Sequence, residues 1–385
     1  MITGDLDTAL AEAIRAVSTG TTSTRTTSTG AGTGAGDSPS TAGTWRPAPP
    51  GASGGLGSYA TTIAFLLAQH PAKLPGHAPD PQARASELAA RLRARPEISQ
   101  ATATSGYLTV TVTADTLAAL AVRITEAGPA CACGSALRGV TLAAPRGVDL
   151  AAARTWDEAY QRLAGEVTGR LAAAAGAQVQ WEDPAQRLPG TDSTSAGSSP
   201  VADSINFAGV DAIRYALCRV RGTGTGPRRT GPRRLRGEDA VDARAAAAQH
   251  LGNPAYAVWY AHAHAASALR QAADLGLDKG NAADAQLRLL AHPGERALLD
   301  AMSWLPERVG GAARRGRPDV LTGYLEDLAA AYFDCQEGCP AVPPGLPDEP
   351  PGRPVTTARL WLSAAAGTAL GAGLGLLGVA APDRL

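Results

Sequence analysis

The chain has 385 residues and no formal net charge at pH 7, because 35 basic residues balance 35 acidic ones. This balance excludes attraction of nucleic acid by an overall positive field, so any basic site must be local. The length suits about two or three domains, and the 44 glycines and 28 prolines favour long loops beside the ordered elements.

The chain begins with a predicted helix followed by a long polar segment. Leu6, Leu10, Ile14 and Val17 recur at helical spacing. Residues 18–57 are mostly Thr, Ser, Gly and Pro, which bury too little apolar surface to offset the entropy of ordering. We therefore predict an N-terminal helix over residues 1–18 and a disordered insertion over residues 19–57. The first residues carry early acids and no basic segment ahead of an apolar core, so we expect no signal peptide.

Ordered structure is predicted to resume as a small α/β domain over residues 58–135. Apolar spacing indicates helices at 57–69, 81–95 and 116–127. Residues 107–112, Tyr-Leu-Thr-Val-Thr-Val, alternate as a strand.

A βαβ unit is predicted next, from a strand at 140–143, a helix at 153–175 and a strand at 178–181. A Ser, Gly and Pro-rich spacer follows at 186–202. We interpret residues 136–202 as a linker or a remnant βαβ region.

The segment 219–236 carries the densest positive charge, with seven arginines and no acid. Its Gly-x-Gly-x-Gly is only weakly similar to a phosphate loop, because no strand precedes it and no Gly-Lys-Ser/Thr follows. We expect a flexible basic loop in which Arg228, Arg229, Arg233 and Arg234 contact phosphates.

Residues 253–270 have the best helix start in the chain and an unusual density of aromatic residues. Asn253 can cap the helix, and Pro254 suits its first position. Helical spacing predicts one face with Tyr256, Tyr260, Ala263 and Ser267, and a neighbouring face with Trp259, His262, Ala266 and Leu269. The rings either pack in a helix–helix core or stack on nucleobases in a groove.

Three further helices are predicted at 293–309, 319–334 and 356–377, with a Pro-rich segment at 340–354 before the last. The uncharged run 362–381 is long enough to cross a bilayer. Its five glycines and seven alanines make it weakly apolar, so we predict a buried terminal helix and no membrane partner.

The cysteines and histidines give little support for a metal site. Only Cys335 and Cys339, and not Cys131 and Cys133, have the spacing of structural zinc ligands, so free thiols are the favoured interpretation of all five cysteines. His262 and His264 are two apart on a helix and point to nearly opposite sides. The odd cysteine number favours a reducing compartment, and we expect the cytoplasm.

The aromatic helix resembles the first long helix of the DALR-type anticodon-binding domain of arginyl-tRNA synthetases. The family sequence is roughly Asn-Pro-x-Tyr-Tyr-Val-Gln-Tyr-Ala-His-Ala-Arg. The matching residues are Asn253, Pro254, Tyr256, Val258, Tyr260, Ala261, His262 and Ala263. The chain departs from it at Ala257, at Trp259 in place of Gln, and at His264 in place of Arg.

Further motifs extend the resemblance. Residues 209–215 resemble the helix that leads out of the family's catalytic domain. Residues 324–329 resemble the family's Tyr-Leu-x-Asp-Leu-Ala helix, and residues 381–384 resemble its closing sequence. The N-terminal segment resembles the additional domain of the family, whose pattern is kept at Gly57, Tyr59, Ala60 and Gly106. It departs from that pattern at Ser58, Thr62 and Thr109, where the family has an acid and two asparagines. The resemblance implies a mainly α fold, with a helical bundle of the DALR anticodon-binding type over residues 203–385 and a small N-terminal α/β additional domain.

The chemistry of a class I synthetase is not encoded in these residues. Such enzymes hold ATP with His-x-Gly-His and neutralise the leaving pyrophosphate with Lys-Met-Ser-Lys-Ser. No two of the six histidines are three residues apart, and the lysines are Lys73 and Lys279. We predict no catalytic residue, no metal and no cofactor, with ATP bound only if the chain is a ligase.

The leading hypothesis is a non-catalytic tRNA-binding protein related to arginyl-tRNA synthetase. The expected RNA contacts are Tyr107, Tyr256, Trp259, Tyr260, His262 and the four arginines of the basic segment. One alternative is a full or residual arginine–tRNA ligase, which acts either alone or complemented in trans by another chain. Another is a protein–protein adaptor on a former tRNA-binding scaffold. The sequence gives no oligomeric state.

Overall fold

The computed structural model describes residues 2–20, 45–48, 55–69, 80–182, 199–220, 241–342 and 354–385. The chain divides into two compact units, Met1–Leu120 and Ala121–Leu385. The described part is mainly helical, as the sequence predicted, and each unit contains a small sheet.

The first unit contains a four-stranded antiparallel sheet in the order β1-β2-β4-β3. Its elements are α1 (Ile2–Gly20), β1 (Trp45–Pro47), β2 (Ser58–Thr61), α2 (Ile63–Gln69), α3 (Pro81–Leu92), β3 (Ile98–Thr104), β4 (Tyr107–Val112) and α4 (Ala114–Ala118). The predicted apolar stripe of α1 is buried, which confirms that helix. The predicted strand 107–112 is the inner strand β4.

Three predictions made for this part of the chain need correction. The helix predicted over 116–127 is two helices, Ala114–Ala118 and Leu120–Ala127, interrupted at Ala119. The helix predicted over 57–69 is wrong over Ser58–Thr61, which form β2 between β1 and β4. Sheet pairing on both sides overrides local helix preference here, and the helix starts only at Ile63, whose N–H donates to Thr61 Oγ1. Residues 45–47, inside the segment predicted to be disordered, form β1, and Trp45 Nε1 donates to Asp7 Oδ1.

The second unit is a helical bundle with a βαβ unit at its start. Its elements are α5 (Leu120–Ala127), β5 (Thr141–Pro145), α6 (Trp156–Ala174), β6 (Gln178–Glu182), α7 (Pro200–Ala208), α8 (Val210–Arg219), α9 (Ala243–Ala247), α10 (Pro254–Asp274), α11 (Pro293–Ser303), α12 (Leu305–Arg315), α13 (Asp319–Gly338) and α14 (Pro354–Leu377). Strands β5 and β6 are parallel, which confirms the predicted βαβ unit. The helix predicted over 293–309 is instead two helices, because Pro306 has no N–H to continue the helical hydrogen bonding.

The core of this unit surrounds α14, which packs against α6, α10, α11 and α13. Among the described helices, α14 alone is long and apolar enough to cross a membrane, and most of it is buried in the unit. A glycine permits α14 to pack closely on α13, since a Cβ on Gly373 would lie 2.4 Å from Leu325 Cδ2. This burial agrees with the predicted buried terminal helix.

Candidate nucleic-acid interface

Helix α10 is fixed at its start by a buried asparagine. Asn253 Oδ1 accepts a hydrogen bond from Ala255 N at 3.1 Å, and its Nδ2 donates to the carbonyls of Ala246 and Ala248. Pro254 follows at the first helical position. The predicted cap is confirmed, and its extra bonds tie the helix start to the end of α9.

Aromatic side chains form a continuous row on one side of α10 and reach α13. The rings of Tyr256 and Tyr260 stack with centroids 6.0 Å apart and an interplanar angle of 18°. Tyr260 then lies 5.7 Å from Phe333 of α13 and 6.1 Å from His264. We call these four residues the aromatic face. Tyr260 is 38% exposed, so one ring of the row reaches solvent.

The imidazole of His264, in the aromatic face, is in its neutral form at neutral pH. Its Nδ1 lies 2.9 Å from the hydroxyl oxygen of buried Tyr332. Burial lowers the pKa of His264 below its ordinary value and raises the pKa of Tyr332. Stacking and hydrogen bonding are therefore the interactions that the aromatic face offers, rather than attraction to phosphate.

The neighbouring side of α10 holds the C-terminal tail, residues 379–385. Trp259 Nε1 donates to the carbonyl of Ala380 at 3.0 Å, and His262 Nδ1 donates to that of Pro382 at 3.0 Å. Arg270 Nη2 donates to the carbonyl of Asp383 at 3.0 Å. The helix thus separates its four candidate residues into two pairs, with Tyr256 and Tyr260 in the aromatic face and Trp259 and His262 against the tail.

The tail borders an open groove of about 440 Å³. Val210, Trp259, Pro382 and Leu385 give it apolar walls. Asp211 at its edge accepts a hydrogen bond from Ala380 N at 3.2 Å. Trp259 therefore forms part of a groove wall while its N–H is occupied by the tail.

An ion triad around buried Glu166 lies at the base of the tail. Glu166 of α6 is 1% exposed and binds Arg170 Nη2 at 2.7 Å and Arg214 Nη2 at 2.8 Å. Arg170 Nη1 also donates to the carbonyl of Gly375. The turn after α14 is at Gly378, with φ of 71°, where a Cβ would lie 2.6 Å from Arg214 Nη2. The βαβ unit is thus joined to the bundle at the base of the tail.

The remaining candidates lie elsewhere. Tyr107, in the first unit, is 50% exposed and packs edge-on against Phe65 with centroids 5.3 Å apart. Arg228, Arg229, Arg233 and Arg234 lie outside the described residues. Arg219, the first arginine of the basic segment, is described and pairs with both carboxylate oxygens of Glu326 at 2.6 and 3.1 Å.

Sequence reasoning missed Phe333 as a member of the aromatic face. The adjacent pair Tyr332 and Phe333 in an aromatic-poor chain was the signal that could have found it. Their neighbour on α10, His264, looked like a simple departure from a motif. Its contact with Tyr332 depends on tertiary packing that the sequence does not display.

No group of three or more His, Cys, Asp or Glu is placed to hold a metal ion within the ranges that the structure describes. All five cysteines are free. Burial raises the pKa of Cys131, Cys218 and Cys335 to about 12. His262 and His264 bond to different elements, the tail and α13, as their spacing predicted.

The comparisons with known proteins agree on one relationship. Residues 258–385 match the DALR anticodon binding domain family. The arginine–tRNA ligase of Frankia alni is 38% identical over 183 residues, which cover 48% of this chain and 30% of that protein. The ligase of Micrococcus luteus is 37% identical over 186 residues, with the same shares of 48% and 30%. The chain therefore spans under a third of the length of these curated relatives.

A solved structure shows a similar fold. The arginyl-tRNA synthetase of Thermus thermophilus superposes with a TM-score of 0.54 at 16% identity, and the match covers 100% of each chain. At this identity the likeness concerns fold alone. Together with the family match, it confirms the predicted fold class, a mainly helical chain with a DALR domain in its C-terminal half and a small sheet domain.

Proposed function

We propose that this chain, which is related to arginyl-tRNA synthetases through its C-terminal half and carries a DALR anticodon-binding domain, binds tRNA without charging it. The observation that carries the proposal is the aromatic face at the start of that domain. Its stacked tyrosines, one with an exposed ring, offer a platform for bases that have left a helical stack.

The geometry favours base contacts over phosphate contacts at this place. The row of rings is held in place by neighbouring aromatic side chains, and Tyr260, at 38% exposed, offers the ring surface on which a base would stack. Neutral His264 adds hydrogen-bonding capacity without charge. Stacking on aromatic side chains contributes about 1–3 kcal/mol per base and tolerates different bases. The aromatic face would therefore supply affinity, with sequence discrimination left to groups around it.

Positive charge would come from the basic segment. Its arginines have no acid among them, whereas the chain as a whole is neutral. On structured RNA each neutralised phosphate adds up to about 0.9 to the slope of log affinity against log salt, or about 0.7 on single strands. Replacing Arg228, Arg229, Arg233 and Arg234 with Ser should flatten that slope by roughly 2–3. An unchanged affinity and slope in this variant would mean that the segment does not contact RNA.

The test of tRNA binding is filter retention of labelled tRNA by the full chain. Tyr260→Ala should weaken binding by about 1–3 kcal/mol, which is roughly 5- to 150-fold, and Tyr260→Phe should keep most of the affinity. Trp181→Ala is the matched control, because it removes a 36% exposed ring on β6 of the same unit. A large loss of melting temperature in Tyr260→Ala, with unchanged affinity, would identify the ring as core and contradict the proposal.

The absence of charging has its own test. The chain contains no histidine pair at the spacing that cradles ATP phosphates and no lysine pair for the leaving pyrophosphate. Charge stabilisation of that kind is usually the largest single catalytic contribution. Pyrophosphate exchange that depends on arginine and ATP should be undetectable with the chain alone. Robust exchange would instead favour the arginine–tRNA ligase.

A protein–protein adaptor is the second alternative. It predicts an intact fold with no retention of tRNA at low salt.

The proposal also places the protein in the cytoplasm, with support from free cysteines, which persist in a reducing compartment.

A further inference from the structure

The sheet of the first unit ends at β3. Among the described residues β3 pairs with β4 alone. The two strands are joined by Ser105 and Gly106, whose φ values of 50° and 82° match a two-residue type I′ hairpin turn. The pairing is regular from this turn back to Gln100, where a bulge interrupts it.

The hydrogen-bond pattern shows which backbone groups of β3 face outward. Val112 N donates to Gly57 O on the β2 side of β4, so the even-numbered residues of β4 bond toward β2. The odd-numbered residues of β4 then bond toward β3, where the register pairs them with Gln100, Thr102 and Thr104. Ala101 and Ala103 therefore direct their N–H and C=O groups to the open edge.

The outward backbone groups of Ala103 and Ala101 differ in their hydrogen bonding. Ala103 O accepts a hydrogen bond from Gln82 Nε2 of α3 at 3.3 Å. The backbone N–H and C=O of Ala101 have no hydrogen-bond partner in the described ranges. Ala101 is nevertheless only 2% exposed. Sheltered backbone groups are almost always paired, so this position is well suited to a ligand that offers both an acceptor and a donor.

A groove of about 420 Å³ lies over these groups. One wall is the α3 stripe Ser86, Ala89 and Arg93, and the other is residues 100–103 of β3. Near Ala103, Gln82 of α3 bonds to the strand and to the hairpin turn. From Gln82 to Arg93 the helix rises about 16 Å, which matches roughly five residues of extended chain.

The groove has a positive end and no acidic lining residue. Arg93 is exposed, and no ion pair involves it within the described residues. The neighbouring arginines differ, since Arg91 pairs with Glu87 and Arg95 pairs with Glu12 and Glu97. A carboxylate at this end would therefore meet a cation that has no competing partner.

We propose that this groove docks an extended peptide segment of another protein as an added strand beside β3, with an acidic side chain at Arg93. A peptide residue supplies both the acceptor and the donor that Ala101 requires, in ladder geometry. A phosphodiester group supplies acceptors only, and the donors of RNA, its 2′-hydroxyl and base groups, do not alternate with acceptors at strand spacing, so the pattern favours peptide over RNA. The site lies in the first unit and does not depend on the tRNA-binding proposal.

The test uses the full chain and a defined peptide set. Fluorescein-labelled hexapeptides of alternating Thr and Val carry one Glu at each position in turn, with matched peptides that carry Gln. Fluorescence anisotropy gives the affinities, and hydrogen exchange followed by mass spectrometry reports on residues 98–104. The best Glu peptide should bind about two- to fivefold more tightly than its Gln match, as expected for an exposed ion pair. It should also slow exchange of roughly one or two amides of β3.

Three variants decide the outcome. Arg93→Glu should abolish or invert the preference for Glu, whereas Arg91→Glu on the same helix should keep it. Ser86→Trp, at an exposed position, should fill the groove and block binding. N-methylation of the peptide residue opposite Ala101 should cost about two- to tenfold in affinity. The proposal is overturned if no peptide protects β3, if binding survives both Arg93→Glu and Ser86→Trp, or if an oligouridine protects β3 in place of the peptides.

Discussion

Glu166→Gln should strongly destabilise the second unit. The substitution keeps side-chain size but removes the charge between Arg170 and Arg214, which it binds at 2.7 and 2.8 Å. Glu166 is 1% exposed and Arg214 is 8% exposed, so water does not replace the lost partner of Arg214, whereas Arg170, 35% exposed, can be hydrated. Breaking a buried pair on one side costs about 3–5 kcal/mol. For a unit of this size that corresponds to a fall in melting temperature of about 6–20 °C.

The pH dependence separates charge from packing. Burial acts to raise the pKa of Glu166, but the hydrogen bonds and charges of Arg214 and Arg170 lower it below the ordinary 4.5. A carboxyl with a depressed folded-state pKa contributes stability above its unfolded pKa, and this stability is lost as pH falls through the folded pKa. The difference between wild type and Glu166→Gln should therefore be full at pH 7 and shrink below about pH 4.5.

The assay is thermal unfolding followed by circular dichroism between pH 7 and pH 3. Glu158→Gln is the control, because Glu158 pairs with Arg162 on the same helix but keeps 33% of its side chain exposed. This control should cost no more than about 1 kcal/mol. A Glu166→Gln loss that is equally large at every pH would refute the argument from charge. A loss as small as that of the control would refute the argument from burial.

Three other predictions concern packing, the tail and the thiols. Gly373→Ala should lower the free energy of unfolding by about 1–3 kcal/mol, because its Cβ would meet Leu325. Gly375→Ala, whose Cβ would have no atom within 4 Å, should be neutral or stabilising, and equal effects of the two variants would contradict the packing of α14. Trp259→Phe removes one hydrogen bond to the tail and should speed its digestion by carboxypeptidase roughly two- to tenfold, and an unchanged rate would mean that the bond does not hold the tail. Cys133, the exposed thiol, should react with Ellman's reagent well before the four buried ones, and simultaneous reaction of all five would contradict their burial.

The sequence predicted best where local chemistry decides structure. Asn253 and Pro254 mark a helix start by their own backbone and side-chain properties, and the structure confirms it. The period of Leu6, Leu10 and Ile14 likewise identified a buried helix face. These signals depend on neighbours along the chain, which the sequence displays directly.

The errors occur where partners distant in sequence decide. Ser58–Thr61 became a strand because β1 and β4 pair with it on both sides. The two faces of α10 were predicted correctly, with Tyr260 on one and Trp259 and His262 on the other, yet only the folded chain shows that the first packs on Phe333 and the second on the tail. The edge groups of β3 were also inaccessible to sequence reasoning, since the register with β4 defines them.

Ultraviolet crosslinking of tRNA to the full chain, with the crosslinked peptides identified by mass spectrometry, would locate the RNA-binding surface directly. We expect a major crosslink on the peptide that contains Tyr256 and Tyr260, and this crosslink should disappear when unlabelled tRNA competes. Tyr260→Ala should also reduce this crosslink while the fold is retained. Bound tRNA that crosslinks only to other segments, with none at the start of α10, would contradict the assignment of the aromatic face as the RNA-binding surface.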